Sequence, residues 1–289
     1  MKYIRLLYNK KFKNIVFLLL TLLILGLIYI TYANLNSTKA YTSNKTTLSD
    51  DEKMVMSSKS SVIKDLVNIS YSNPEVDAIL SNLDAYPSEL LELASKNKET
   101  LNFVTNYPKN ISNINKSVSI EKDYVPGKIP LFLQWDERWG YDKYGNNFIA
   151  LNGCAPTSLA MVAVGLTGNT TVTPKTVADY SFKNSFYVNG VGSSWQLISK
   201  GASYFGLKSK EIPLSKSSIL SSLKRGNPVI VTVGPGTFTS SGHFLVLTGV
   251  DNDGRIKIND PNSKFNSSKT WNIDVFLKES RNLWEISKM

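Results

Sequence analysis

The hydropathy pattern of the chain changes character several times. Residues 15–33 form an uncharged apolar run, preceded in residues 1–14 by Lys2, Arg5, Lys10, Lys11 and Lys13 without a single acid. At about 1.5 Å per residue this run makes a helix of roughly 28 Å, close to the hydrocarbon thickness of a bilayer. It reads as a transmembrane signal anchor, with residues 1–14 cytoplasmic and the long remainder outside the cell. A signal peptide cleaved after Thr31 and Ala33, which would release a secreted protein, is the competing reading. Its apolar region would exceed the usual 7–15 residues.

Residues 34–47 are rich in Ser, Thr, Asn and Lys, as a solvated tether requires. Apolar positions then return at helical spacing: Val62, Ile63, Leu66 and Val67, then Val76, Ile79, Leu80 and Leu83, then Leu90, Leu91 and Leu93. This predicts three or four short helices within residues 49–107, opened by Ser49 as capping hydroxyl with Glu52 three positions on, and broken near Pro74, Pro87 and Pro108. Residues 108–125 are polar again. The whole of residues 34–125 is read as a tether and helical stalk region without chemistry of its own.

Beyond residue 126 the sequence becomes aromatic-rich and punctuated by glycine, which predicts one α+β domain over residues 126–289. Residues 154–165 are almost wholly apolar, so the helix they predict belongs in a core, with Pro156 in the first turn where its missing N–H costs nothing. Thr173, Ser194 and Ser215 cap three further helices. The period then switches to two. Residues 229–233 read as a buried strand, and residues 243–250 and 255–259 as a hairpin closed by residues 251–254.

Composition narrows the function classes. The 42% apolar and 11% aromatic content excludes a disordered chain. The formal charge of +10 divides into +5 for residues 1–14, −2 for 34–125 and +7 for 126–289. No compact Lys/Arg run or nucleic-acid module is present, so nucleic acid is not an expected partner. Asn-x-Ser/Thr matches such as Asn266 follow from a composition rich in Asn, Ser and Thr. The chain has one cysteine, Cys154, and one histidine, His243. They cannot make an internal disulfide or a closed Cys/His zinc site, and no metal or cofactor is expected. They suffice for one nucleophile and one base.

Cys154 stands at a helix start, where backbone N–H groups and the helix dipole favour the thiolate. If residues 251–254 form a four-residue loop with Val250 and Arg255 as the last pair, paired positions sum to 505 and Leu245 faces Asp260. His243, Leu245, Leu247, Ile256, Ile258 and Asp260 then share one face, the more apolar one and hence the face packed inward. His243 and Asp260 become diagonal neighbours, roughly 7–8 Å apart at the backbone. Asp260 can orient one imidazole nitrogen and leave the other for the thiol. Gln134, among Trp135 and Trp139, is a candidate side-chain donor to an oxyanion.

Several short motifs carry a resemblance: QWDERWGY from Gln134, Tyr144 with Gly145, GCAPTS from Gly153, GHF from Gly242, GVD from Gly249, and Asp260 with Pro261. The domain resembles the papain-like cysteine peptidases of the bacteriocin-processing type, in their stand-alone, exported branch. The stretch from Tyr86 to Pro108 is similar to the helical region that often precedes such domains. The resemblance implies a fold in which an N-terminal helix bearing the cysteine packs on an antiparallel sheet bearing His and Asp. It implies Cys154 as nucleophile, His243 as base and then acid, Asp260 as orienter and Gln134 as oxyanion donor. Relatives that process secretion leaders are usually fused to an ATP-driven exporter, and no G-x-x-x-x-G-K-[ST] pattern occurs in this sequence.

The expectation is therefore a membrane-anchored extracellular cysteine peptidase acting on a peptide or protein substrate. Two alternatives use the same residues: a cell-wall amidase or endopeptidase, and a catalytically silent peptide-binding domain. The sequence leaves the scissile bond and the oligomeric state open.

Overall fold

The computed structural model of the chain describes residues 29–31, 50–114 and 116–289. Residues 1–57 and 58–289 form separate compact units. Apart from residues 29–31, which are helical, the predicted membrane segment at 15–33 lies outside the described residues. Among the described residues no helix is long and apolar enough to cross a membrane.

Where three or four short helices are expected within residues 49–107, the described residues form five, the first of 21 residues: Asp50–Ser70, Val76–Leu80, Ser88–Lys96, Leu101–Thr105 and Tyr107–Asn110. Pro74 and Pro87 fall between them as predicted. Pro108 instead enters the first turn of the last helix, a place that needs no N–H from it. Leu66, Val76, Ile79, Leu90, Leu101, Phe103 and Val104 are buried, in one cluster with Leu133, Trp135, Tyr141 and Phe148. The rings of Phe103 and Tyr141 stack at 4.2 Å between centroids, and Tyr141 Oη donates to the Phe103 carbonyl at 2.6 Å. The helices from residue 58 onward thus share a core with the aromatic segment that follows residue 126.

Two small hairpins precede the main sheet: β1 (Lys143–Tyr144) with β2 (Asn147–Phe148), and β3 (Tyr187–Val188) with β4 (Gly192–Ser193). The main sheet comprises β5 (Leu207–Glu211), β6 (Val229–Val233), β7 (His243–Val250), β8 (Ile256–Asn259), β9 (Thr270–Trp271) and β10 (Ser280–Lys288). Its order is β5-β10-β6-β7-β8-β9 and every neighbouring pair is antiparallel. The C-terminal strand β10 therefore inserts between β5 and β6.

Both faces of this sheet are covered, which corrects the expectation of a single inward face. Ile230, Phe244, Val246, Trp284 and Ile286 pack in one cluster with the helix Cys154–Thr167, whose residues from Ala155 to Val164 are all buried. Val231, Val233, Leu245, Leu247, Ile256 and Ile258 pack on the other side with Ile219, Leu223 and Phe276. The Cys154 helix is apolar all round because it is enclosed all round. It ends at Gly168, whose φ of +72° makes the left-handed cap that favours glycine.

The hairpin register holds at its functional end for a different reason from the one predicted. The last pair is Val250 with Ile256, one residue out of step, and Gly249 faces Lys257. A bulge between Leu247 and Gly249 then absorbs that residue, so Leu247 faces Ile258 and Val246 faces Asn259, the computed pairing.

Candidate active site

The cysteine is delivered by a turn with no room for a side chain at its glycine. Residues Ile149–Asn152 form a short helix, and Gly153 N–H donates to the Ile149 carbonyl at 2.8 Å before the long helix begins at Cys154. A Cβ on Gly153 would lie 2.4 Å from that carbonyl oxygen, inside contact distance. Cys154 is half-buried at the N-terminus of its helix, as predicted, and is a free thiol.

His243 opens β7, and its side chain is buried at 7% exposure. The structure brings it to both predicted partners. Nε2 lies 2.7 Å from Asp260 Oδ1, and Asp260 is 1% exposed. The imidazole also faces the Cys154 thiol closely enough for each to shift the other's titration. With Nε2 committed to Asp260, Nδ1 is the ring nitrogen left for sulfur.

Electrostatics in this buried cluster favour separated charges. Burial pushes the Cys154 thiol up, but the His243 hydrogen bond and charge, with backbone N–H groups of Phe244 and Ala155, bring it below the usual thiol range. Burial pulls His243 down, but the Asp260 carboxylate and then the cysteine outweigh it, and the imidazole is pushed up to about 10. Asp260 is destabilised by burial yet held below the ordinary carboxylate range by His243, Asn266 and the Asn262 backbone. The favoured state is a thiolate beside an imidazolium that is itself anchored to a carboxylate.

Asp260 sits in a cradle that the sequence reading missed. Asn262 N–H donates to Oδ1 at 2.8 Å, Asn266 Nδ2 donates to Oδ2 at 2.8 Å, and Asp260 N–H donates to Ser267 Oγ at 2.8 Å. Asn266 lies in the short helix Lys264–Ser267, just beyond the strand. The clue available in the sequence was a tight run of Asn and Ser after Asp260, with side chains suited to local turns.

Gln134 is buried and lies beside the cysteine turn. Its Nε2 donates to the Ala150 carbonyl at 2.7 Å and more weakly to Leu151 at 3.4 Å, while Oε1 has no hydrogen-bond partner among the described residues. Contact with carbonyls on the Nε2 side fixes which end of the amide is the donor. Nearby, the buried Tyr144 hydroxyl bridges Ser181 and Ser193 at 2.6 Å each and feels the charge of Cys154; burial pushes it up to about 12. This tyrosine ties hairpin β3–β4 to the wall of the site and stays neutral.

The profile of the Peptidase_C39 like family matches residues 126–289. No curated protein matches the chain. Among solved structures, similarity extends to the peptidase domain of Streptococcus ComA, a bifunctional ABC transporter involved in a quorum-sensing pathway, at 21% identity and a TM-score of 0.38, covering 48% of this chain and 93% of that one. It extends also to a double-glycine-motif protease from an AMS/PCAT transporter in complex with a leader peptide, at 18% identity and a TM-score of 0.30, covering 57% and 94%.

Proposed function

The chain belongs to the Peptidase_C39 like family and is a cysteine peptidase; from that premise we propose that Cys154, His243 and Asp260 are its catalytic triad and Gln134 its side-chain oxyanion donor. The observation that carries this reading is His243 Nε2 at 2.7 Å from Asp260 Oδ1, with the same imidazole and the Cys154 thiol electrostatically coupled.

In the resting pair, sulfur is anionic and His243 carries the proton. The Cys154 thiolate attacks the substrate carbonyl carbon, and the C=O electron pair moves onto oxygen. The Cys154 backbone N–H, unpartnered within its helix, and one Gln134 Nε2 N–H, giving up its weaker 3.4 Å bond to Leu151, receive that oxyanion. His243 passes its Nδ1 proton to the departing amine as the C–N bond breaks, leaving a thioester. The imidazole, now neutral, takes a proton from water as the hydroxide adds. Collapse of the second oxyanion releases the acid and restores the thiolate beside the protonated His243. Asp260 remains ionised throughout, stabilising the imidazolium and fixing the ring.

We assign the peptidase to residues 126–289 and the membrane anchor to residues 15–33, with the site outside the cell. The supports are the uncharged run and the five basic residues before it. The substrate is a peptide or protein. Treatment of the full chain with a thiol-directed peptide chloromethyl ketone, followed by mass spectrometry, tests the assignment. One adduct on Cys154 that is abolished by prior iodoacetamide and slowed strongly in His243→Ala is expected. An unlabelled Cys154 in protein whose thiol is reduced would sink the reading in favour of a silent binding domain.

A further inference from the structure

The helical region preceding the peptidase domain reaches the site through one carboxylate. Glu99 lies in the helical turn Lys98–Thr100, half-buried, and its own N–H donates to Asn97 Oδ1 at 3.0 Å. Across about 165 positions of sequence it receives Lys264 N–H at 2.7 Å, Phe265 N–H at 3.3 Å and the Ser263 hydroxyl. These are the opening donors of helix Lys264–Ser267, the helix that carries Asn266. Asn97 Nδ2 grips the same loop, donating to the Asn262 carbonyl at 3.0 Å.

The contacts form a directed chain. A serine hydroxyl has a single hydrogen. Ser263 gives its own to Glu99, so its lone pairs face inward and accept Asn266 N–H at 3.0 Å. Asn266, fixed in this way, donates Nδ2 to Asp260 Oδ2, while Asp260 Oδ1 meets His243. With Glu99 absent, two backbone N–H groups at the helix start lose their acceptor and the Ser263 hydroxyl is free to rotate.

We infer that Glu99 is a positioning residue of the peptidase site, through which the helical region sets the orientation of Asp260 and hence the pairing of His243 with Cys154. This rests on the triad assignment above. It makes the region around residues 97–100 part of the catalytic apparatus and not only a spacer between anchor and enzyme.

The single histidine of the chain supplies a direct readout, because its imidazole gives the only histidine ring signals in an NMR titration. The full chain is titrated as wild type, Glu99→Ala and Glu99→Gln, and iodoacetamide alkylation of Cys154 is followed at neutral pH. In Glu99→Ala the His243 midpoint is expected to fall by about one unit, a tenfold loss in the pairing equilibrium, with alkylation slowed to match. Glu99→Gln, which keeps an acceptor oxygen, is expected to restore most of both. A purely structural role would lower the melting temperature and leave the midpoint in place, which would overturn the inference. If Glu99→Ala does not fold, Ser263→Ala carries the test with a smaller downward shift, and no shift in it is equally fatal. Asp260→Asn separates the two levels: a His243 midpoint unmoved by that change overturns the triad itself, whereas a shift there without one in Glu99→Ala overturns only the role of Glu99.

Discussion

Gln134 and Pro261 are joined through their main chains: Gln134 N–H donates to the Pro261 carbonyl at 2.7 Å. The residue proposed as oxyanion donor is thereby stitched to the turn that begins with Asp260. The Trp135 indole adds a second stitch, donating to the Asn262 carbonyl at 3.0 Å. Both halves of the site are referred to one short loop, so attack geometry and charge stabilisation are set together.

That bond uses only backbone atoms, so changing the Gln134 side chain leaves it in place. Gln134→Ala should lower kcat on a cleaved peptide by about 10²–10³ with KM little altered, the range found for loss of one oxyanion donor. The His243 titration should be unchanged. Steady-state kinetics beside the NMR midpoint check this, and an equal loss in Gln134→Ala of kcat and of the imidazole midpoint would show that the residue acts on the triad instead.

The charge pair of Cys154 and His243 confines activity to a window of pH. A thiol held low is ionised from below its usual range, and an imidazole pushed up to about 10 stays protonated until then. The reactive pair therefore exists between those two limits. Activity should rise on the acid side with the thiol and fall on the alkaline side near 10. In His243→Ala the largest lowering partner is gone, and burial, the strongest influence on the thiol, remains to raise it against the backbone N–H groups of Phe244 and Ala155 alone. Alkylation by iodoacetamide should then set in at or above the ordinary thiol value of about 8.5, against well below it in the wild type. Coincident profiles in the two proteins would contradict the pairing.

Asn266 offers a test that leaves every reacting atom untouched. It donates one of the three hydrogen bonds that hold Asp260, and its loss leaves Oδ2 with one partner fewer in a buried setting. Asn266→Ala should raise the Asp260 carboxyl, lower the His243 midpoint and cut kcat by about tenfold, while Asn266→Asp should do more harm by placing a second carboxylate against the first. The order of kcat among the three proteins, wild type above Ala above Asp, is the measurement.

Much of this was legible in the sequence because it depends on local rules. β-type runs located β6, β7 and the whole of β8, with Arg255 added before it; Thr173 and Ser215 cap their helices as read, accepting from Thr176 and Ser218 N–H. The face shared by His243 and Asp260 was computed from a hairpin closure that is one residue wrong, and it survives because a bulge restores the step. No pattern rule predicts where a bulge falls. What stayed hidden is long-range. β10 reads as ordinary mixed sequence yet occupies an interior sheet position, since only its partners β5 and β6 make it a strand. Glu99 and Asn97 carry no local signal because their partners lie about 165 residues away. Asn266 stands in the sequence only as one of several Asn-x-Ser/Thr matches, and its role exists only once Asp260 is folded beside it.

The helical region and the peptidase domain meet at a seam of buried aromatic rings. Phe103 is 2% exposed, stacks on Tyr141, and gives its backbone carbonyl to the Tyr141 hydroxyl. Its ring also fills the space above Gly140, where a Cβ would come within 2.7 Å of it. Phe103→Ala leaves the carbonyl and removes the ring, so it should cost about 3–5 kcal/mol, measured as the loss in chemical denaturation of the full chain. Because Leu133, Trp135 and Tyr141 share the buried cluster with the helices, the destabilisation should reach the site, and Trp fluorescence and Cys154 protection should be lost in the same transition. Should the helices instead melt first, with Cys154 protection unchanged until a second transition, the shared core would not be acting as one cooperative unit.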